Sequence, residues 1–171
     1  RNLANCLARC HLDIEIAVAA PYASGLSCLV EDEVDLGVTI VDMGGGTTTI
    51  AVFYDGEVIH ADSIPVGGQH VTSDIARGLS TSLAHAERMK TLYGSAIPSP
   101  SDERELIDVP LIGEENTNQP NHVPRSLLNG IIRPRMEETF ELVRSRLEVA
   151  GMDRISGRRL VLTGGASQLQ G

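Results

Sequence analysis

An α/β fold, a mixed sheet with helices, is what this sequence predicts, and three observations carry the prediction. Residues 38–42, 47–54 and 57–65 read as three consecutive strands, with Asp55-Gly56 as the two-residue turn favoured between hairpin strands. Residues 69–79 and 126–150 place apolar side chains at helical spacing on one face. A further buried-strand pattern, Arg159-Leu160-Val161-Leu162-Thr163, returns late in the chain and stops at Gly164-Gly165.

In chain order, residues 2–10 read as the end of a helix, and Ile14-Glu15-Ile16-Ala17-Val18-Ala19-Ala20 as a short strand stopped by Pro21. Leu26, Leu29 and Val30 recur at helical spacing and predict a helix from Ser24 to about Glu33. The acidic run Glu31-Asp32-Glu33 with Asp35 reads as a solvated linker. After the three strands, Gly67-Gly68 leads into a helix whose Val71, Ile75 and Leu79 share a face, suited to cover the strands. Ser80-Thr81-Ser82 offers N-cap hydroxyls for a helix over residues 83–93, closed by Gly94. Residues 95–124 are proline-rich, with the polar tract Asn116-Thr117-Asn118-Gln119 and one strand-like piece at 106–110; exposed, mobile connections are expected there. The stripe Leu128, Ile132, Met136, Phe140, Val143 and Leu147 predicts helix, and Pro134 within it predicts two helices in tandem, the second starting near Pro134.

The chemistry is concentrated at Val41-Asp42-Met43-Gly44-Gly45-Gly46-Thr47-Thr48. Glycines between two strands leave backbone N–H groups uncovered, so an anion can approach the main chain closely. Asp42, ending the first strand, could hold hydrated Mg²⁺ beside phosphates. A plain hairpin turn with Asp42 as a turn-stabilising side chain fits the same pattern. The second strand-to-glycine junction, at Gly164, shifts the balance toward one bound nucleotide. Neither site matches other nucleotide fingerprints: no glycine run precedes Lys-Ser or Lys-Thr, and no G-x-G-x-x-G opens a helix.

The chain has 171 residues, 42% hydrophobic and 22% charged, which suits an ordinary globular core. Its net charge of −9 argues against nucleic-acid binding, which wants a basic face. No apolar run approaches the roughly 20 residues of a membrane span. Cys6, Cys10 and Cys28 are odd in number and predict reduced, buried structural thiols; a metal site from Cys6, Cys10 and His11 lacks a second ligand cluster. The start at Arg1 and the end directly after a glycine motif suggest an excerpt of a longer protein.

The sequence resembles the actin/Hsp70/hexokinase ATPase superfamily and, in closer detail, the bacterial cell-division FtsA family. The residues that carry this are Val41 to Thr48, Ile64-Pro65-Val66-Gly67-Gly68, Val71-Thr72-Ser73-Asp74-Ile75-Ala76, Ala86-Glu87-Arg88-Met89-Lys90 with Tyr93-Gly94, Ile132-Arg133-Pro134-Arg135, and Leu160 to Ala166. The two glycine motifs belong to the whole superfamily, whereas residues 71–76 and 132–135 favour FtsA.

That resemblance implies an actin-like, ribonuclease H-like ATPase fold with a small inserted subdomain. Residues 1–36 would end the first lobe, 37–79 and 134–171 would form the nucleotide-binding core of the second, and 80–133 the insertion. It implies ATP with Mg as cofactors. Asp42, Gly44, Gly45, Gly46, Thr47 and Thr48 would form the second phosphate loop, Gly164, Gly165 and Ala166 the adenosine loop, and Glu87 and Lys90 the ribose and adenine contacts. An i, i+3 Glu/Lys pair is also an ordinary surface ion pair. The implied partners are the C-terminal tail of the tubulin-like division protein FtsZ, further copies in a filament, and the inner membrane through a C-terminal amphipathic helix beyond Gly171. Arg125, Arg133 and Arg135 are the candidates to meet an acidic tail, since arginine suits bidentate carboxylate contacts; solvated helix-face charges are the plain alternative. The family's first phosphate loop would precede Arg1, and no residue here can be named as general base, so at most slow hydrolysis is expected. An Hsp70-type chaperone, a sugar kinase and a shape-determining filament protein are the rival readings on the same fold.

Overall fold

The computed structural model describes residues 2–113, 121–152, 154–155 and 159–171. Helix α1 spans Asn2–Arg9, α2 Ala20–Cys28 and α3 Glu31–Leu36, followed by the strands β1 Val38–Met43, β2 Thr48–Tyr54 and β3 Glu57–Ile64. Helices α4 Gly68–Gly78 and α5 Leu83–Tyr93 come next, then β4 Leu106–Asp108, β5 His122–Pro124, α6 Arg125–Val149, β6 Leu160–Thr163 and a 3-10 turn at Gly165–Gln168.

The main sheet runs β3-β2-β1-β6. β1 pairs antiparallel with β2 and parallel with β6, so the sheet is mixed as the sequence predicts. β1 lies between two strands and under helices, and its Val38, Ile40, Val41 and Met43 are all buried, which explains a continuous apolar run in place of alternation. The edge strand β3 alternates exposed with half-buried residues, as a one-sided strand should. The Asp55-Gly56 turn has φ of 53° and 81°, the left-handed geometry that twists a hairpin correctly.

Helices cover both faces. On one, α2 seats so closely that a Cβ on Gly25 would lie 2.1 Å from the Phe53 ring, and Tyr22 stacks on that ring at 6.3 Å. Val38, Ile40, Ala51 and Phe53 form this smaller core with Leu29 and Val34 packed against it. On the other face, Val41, Ile50 and Ile64 pack with Val71, Ile75 and Leu79 of α4 and Leu128, Ile132, Met136 and Val143 of α6. Ala86 and Met89 of α5 and Ile107 beside β5 belong to the same core, so residues 80–133 share it with the rest.

Five expectations are corrected. Residues 12–19 form no strand: an apolar run becomes a strand only with a neighbour to take its hydrogen bonds, and none of the described strands pairs with it. Ile14, Ile16 and Val18 stay exposed there, and Pro21 opens α2 in its first turn, where a missing N–H costs nothing. The acidic run is no linker. Glu31, Asp32 and Glu33 occupy the first turn of α3, where the helix dipole favours carboxylates, and Glu33 accepts from Val30 N–H at 3.2 Å and from Arg159 at 3.0 Å. The three cysteines are exposed, Cys28 Sγ lying 3.7 Å from Thr163 Oγ1 of β6.

Pro134 does not split α6, which is continuous over 25 residues. A mid-helix proline costs about 3 kcal/mol, but Leu128, Ile132, Met136 and Val143 on both sides of it bury one unbroken stripe, and that burial outweighs the lost bond. The helix then ends as predicted at Gly151, φ 69°, with Gly151 N–H donating to Glu148 O at 3.0 Å and Met152 N–H to Leu147 O at 2.9 Å. The described part of 95–124 is largely exposed, as expected, but it is anchored at a few buried residues. Asp102, 2% exposed, accepts from Ser99 N–H at 2.8 Å and Asn129 Nδ2 at 2.9 Å, and Ile107 and Val109 are buried. The tract Asn116 to Gln119 lies outside the described residues.

Candidate functional site

The turn between β1 and β2 closes on itself through Gly44 N–H donating to Thr47 O at 2.9 Å. Its outer carbonyls then face the start of α4: Gly68 N–H donates to Gly44 O at 2.9 Å and Gln69 N–H to Gly45 O at 2.8 Å. Gly67 is glycine for this reason, since its Cβ would meet Gly44 O at 2.5 Å and Gly45 O at 2.6 Å. The result is a glycine turn stapled to a helix N-terminus, with Gly45, Gly46 and Thr47 exposed.

The parallel pairing of β6 with β1 sets Thr163 opposite Asp42 and delivers Gly164 beside it. A Cβ on Gly164 would lie 2.5 Å from Asp42 Oδ1 and 2.6 Å from Met43 O. Topology thus joins two glycine motifs that are more than a hundred positions apart in sequence.

The third part comes from α4 and α5. Lys90 Nζ, on a side chain 15% exposed, donates to Glu87 Oε2 at 2.7 Å, to Thr72 Oγ1 at 2.9 Å and to Gly68 O at 3.2 Å, using all three of its protons. Thr72 Oγ1 lies 2.5 Å from Glu87 Oε2. Burial pushes the Glu87 carboxyl up, but the hydrogen bonds from Lys90 and Thr72 and the charge of Lys90 outweigh it, so its pKa falls below the ordinary value. A lowered carboxylate pKa gives stability that is present above the unfolded-state value and lost as pH falls through the folded one. Glu87→Gln should therefore lower the unfolding temperature near pH 7 yet flatten its fall below about pH 4.3. Glu87 is half-exposed, which holds the effect to about 1 kcal/mol or less. Identical acid limbs in the two proteins would remove the assignment.

These three parts line one cavity of about 560 Å³, within the size range of small-molecule sites. Of the residues expected at a nucleotide, Gly44, Gly45, Glu87, Lys90, Gly165 and Ala166 line it. Asp42, Gly46, Thr47, Thr48 and Gly164 do not. Thr48 is fully buried and donates to Val66 O at 2.8 Å, a structural bond beneath the loop. Asp42 lies beside Gly164, outside the lining, with Oδ2 accepting from Ser24 Oγ of α2 at 2.8 Å. Among the described residues no group of three His, Cys, Asp or Glu side chains could hold a metal, which leaves Asp42 as a single carboxylate of the kind hydrated Mg²⁺ accepts beside phosphates.

A family model for the cell division protein FtsA matches residues 39–171. The chain belongs to the FtsA family. It is 57% identical over its whole length to cell division protein FtsA of Rhizobium meliloti (strain 1021), 38% to that of Pseudomonas aeruginosa and 36% to that of Escherichia coli K12. It spans 39%, 40% and 42% of those proteins, respectively. Among solved structures it is similar to MreB5 of Spiroplasma citri bound to ADP, with TM-score 0.78 and 22% identity over 99% of this chain and 54% of that one. The ethanolamine utilization protein EutJ of Carboxydothermus hydrogenoformans gives TM-score 0.65 and 20% identity over 97% of this chain and 48% of that one. The fold is that of the actin-like ATPases.

In this FtsA-family chain the three arginines do not form one patch. Arg125 is held by Tyr93 O at 2.7 Å and Glu105 at 2.9 Å, Arg133 by Glu137 at 2.7 Å, and Arg135 by Asp74 at 2.6 Å and by Glu138. Arg133 and Arg135 are two positions apart on α6 and so point about 200° apart. Sequence reasoning missed Thr72, Gln69, Met136 and Leu169 as parts of the site. Met136 sits on an apolar helix face that reads as core, and nothing local signals that this face continues into a cavity wall; Thr72 lies outside the lining and joins the site only through its bonds to Glu87 and Lys90. The glycine pair at 67–68 was a usable signal, because paired glycines before a helix mark a close backbone approach.

Proposed function

We propose that this chain is most of the second, nucleotide-binding lobe of an actin-like division ATPase, with residues 1–36 ending the first lobe and 80–133 as its inserted subdomain. The observation that carries the reading is the single cavity in which the turn at Gly44-Gly45, the turn at Gly165-Ala166 and the Glu87–Lys90 pair meet. ATP fits these residues: Gly45, Gly46 and Thr47 would present main-chain N–H groups to phosphate, Gly165 and Ala166 leave room for the nucleoside, and Glu87 can accept from ribose hydroxyls. Asp42 would orient water on Mg²⁺. Bound nucleotide supplies the phosphate charge that this chain's glycine turn holds in place. Solved MreB5 of Spiroplasma citri is described as bound to ADP and to AMPPNP, which supports nucleotide at the equivalent cleft.

The same reading makes the whole protein an adaptor at the cytoplasmic face of the inner membrane. There it would bind the C-terminal tail of FtsZ, form nucleotide-dependent filaments and attach through an amphipathic helix. Family membership supports this over a chaperone or a shape-determining filament protein. Arg133, on the most exposed of the three ion pairs, is the arginine freest to exchange its partner for a tail carboxylate, ahead of Arg125 and Arg135.

Gly45→Val in the full-length protein tests the site. A Cβ at Gly45 meets only the flexible Gln69 side chain, at 3.6 Å, so the fold should hold while the branched side chain fills the phosphate position. Calorimetry should show Mg-ATP affinity at least about tenfold weaker, the loss of one charge-assisted contact or more. Unchanged affinity would sink the nucleotide reading. Anisotropy of a labelled FtsZ tail peptide tests the partner, and absence of saturable binding by folded protein would sink the adaptor.

A further inference from the structure

We propose that Thr72 is a positioning residue for nucleoside recognition: its hydroxyl fixes Glu87 Oε2 against α4 and so leaves Oε1 to accept from the ribose. This rests on the nucleotide reading above and adds to it a residue outside both glycine motifs and outside the Glu87/Lys90 pair.

The geometry is specific. Thr72 Oγ1 stands within hydrogen-bond distance of Gly68 O at 3.0 Å, Glu87 Oε2 at 2.5 Å and Lys90 Nζ at 2.9 Å. A hydroxyl has one proton. Lys90 can only donate, so Thr72 accepts from it, and the Thr72 proton goes to the charged Oε2, the stronger acceptor. Gly68 O is then served by Lys90 Nζ at 3.2 Å. Every bond to Glu87 from Thr72 and Lys90 lands on Oε2, and Oε1 takes none. The carboxylate is thereby held in one rotamer although its side chain is 53% exposed.

The bonds also tie the nucleoside end to the phosphate end. Lys90, which Thr72 holds, donates to Gly68 O, and Gly68 N–H donates to Gly44 O of the glycine turn at 2.9 Å. Thr72 is 5% exposed, so it acts on the ligand through Glu87 and makes no contact of its own with solvent-side groups. The helix α4 thus carries the frame in which the two ends of a nucleotide are measured against each other.

The test uses the full-length protein and compares ATP with 2′,3′-dideoxy-ATP by calorimetry, for wild type, Thr72→Val, Thr72→Ser and Glu87→Ala. Wild type should prefer ATP. Thr72→Val keeps the shape but removes the hydroxyl and should cut that preference by about tenfold, while Thr72→Ser restores it. In a Glu87→Ala background Thr72→Val should change the preference no further, because it acts through Glu87. A Thr72→Val protein with the wild-type preference overturns the assignment, as does one whose preference falls equally with and without Glu87. If Thr72→Val does not fold, failure of Thr72→Ser to match wild type overturns it instead. Wild type that binds neither nucleotide overturns the nucleotide reading and this one together, whereas wild-type binding with an unaffected ratio in the variant overturns this one alone.

Discussion

Gly164→Ala should lower the unfolding temperature of this chain by roughly 10 °C and abolish the proposed nucleotide binding with it. Gly164 has φ 87° and ψ 166°, a region that only glycine occupies without strain, costing a residue with a Cβ about 1–3 kcal/mol. The added Cβ would also stand 2.5 Å from Asp42 Oδ1 and 2.6 Å from Met43 O. Met43 is the last residue of the central strand, so its carbonyl cannot step aside without shifting β1, and such overpacking costs a further ~1–3 kcal/mol. About 4 kcal/mol in total, at 2–4 °C per kcal/mol for a domain of this size, gives the stated shift. Gly165→Ala is the control. Its Cβ meets nothing within 4 Å, and its effect should stay within about 0.5 kcal/mol. Calorimetric scans in which the two variants melt together would show that the junction between β6 and the cavity is not the tight point described here.

Asp42→Ala should weaken ATP binding at least about tenfold in excess Mg²⁺ and leave binding in chelator nearly unchanged. Asp42, the last but one residue of β1, has one oxygen accepting from Ser24 and the other facing the Gly164 backbone, and it stands where the two glycine turns meet. On the proposed reading, hydrated Mg²⁺ would need a carboxylate to order its waters, whereas the phosphates would be held by main-chain N–H groups that this substitution does not touch. Asp42→Asn keeps the Ser24 bond and removes the charge, so it separates the two roles: it should resemble Asp42→Ala in Mg²⁺ dependence and wild type in stability. Equal losses with and without Mg²⁺ would assign Asp42 to the turn alone.

Much of the fold was legible because it depends on local rules. The Asp55-Gly56 turn, the Ser82 cap accepting from His85 N–H at 3.3 Å, and the end of α6 at Gly151 follow from residue types that suit those backbone angles and few others. Gly94 shows the limit. It does end α5, but with φ of −68°, and a Cβ there would lie 2.4 Å from Lys90 O of its own helix and 2.8 Å from Ile132, the second a reason that exists only once α6 is in place. The segment at 12–19 and the helix through Pro134 fail in opposite senses. One has the apolar pattern of a strand and no partner among the described strands, and the other carries a helix breaker overruled by the core beneath it.

For the site, the sequence by itself determined its chemical ingredients: two strand-to-glycine turns, an acid at the end of the first strand, and a Glu/Lys pair on one helix face. Those are local, because a glycine without a Cβ and an i, i+3 spacing carry their meaning wherever they fold. Only the tertiary structure decided that the two turns and the Glu/Lys pair share one cavity, with Asp42 at their junction but outside its lining. The parallel pairing of β6 with β1 brings Gly164 to Asp42, the staple of Gly44 and Gly45 onto α4 places the turn over Gly68, and Lys90 reaches across from α5 to the same Gly68 carbonyl. It also decided which polar groups are spent internally. Thr48, Arg125 and Arg135 find partners within the chain, since a buried or half-buried donor without one costs more than the contact it could offer a ligand.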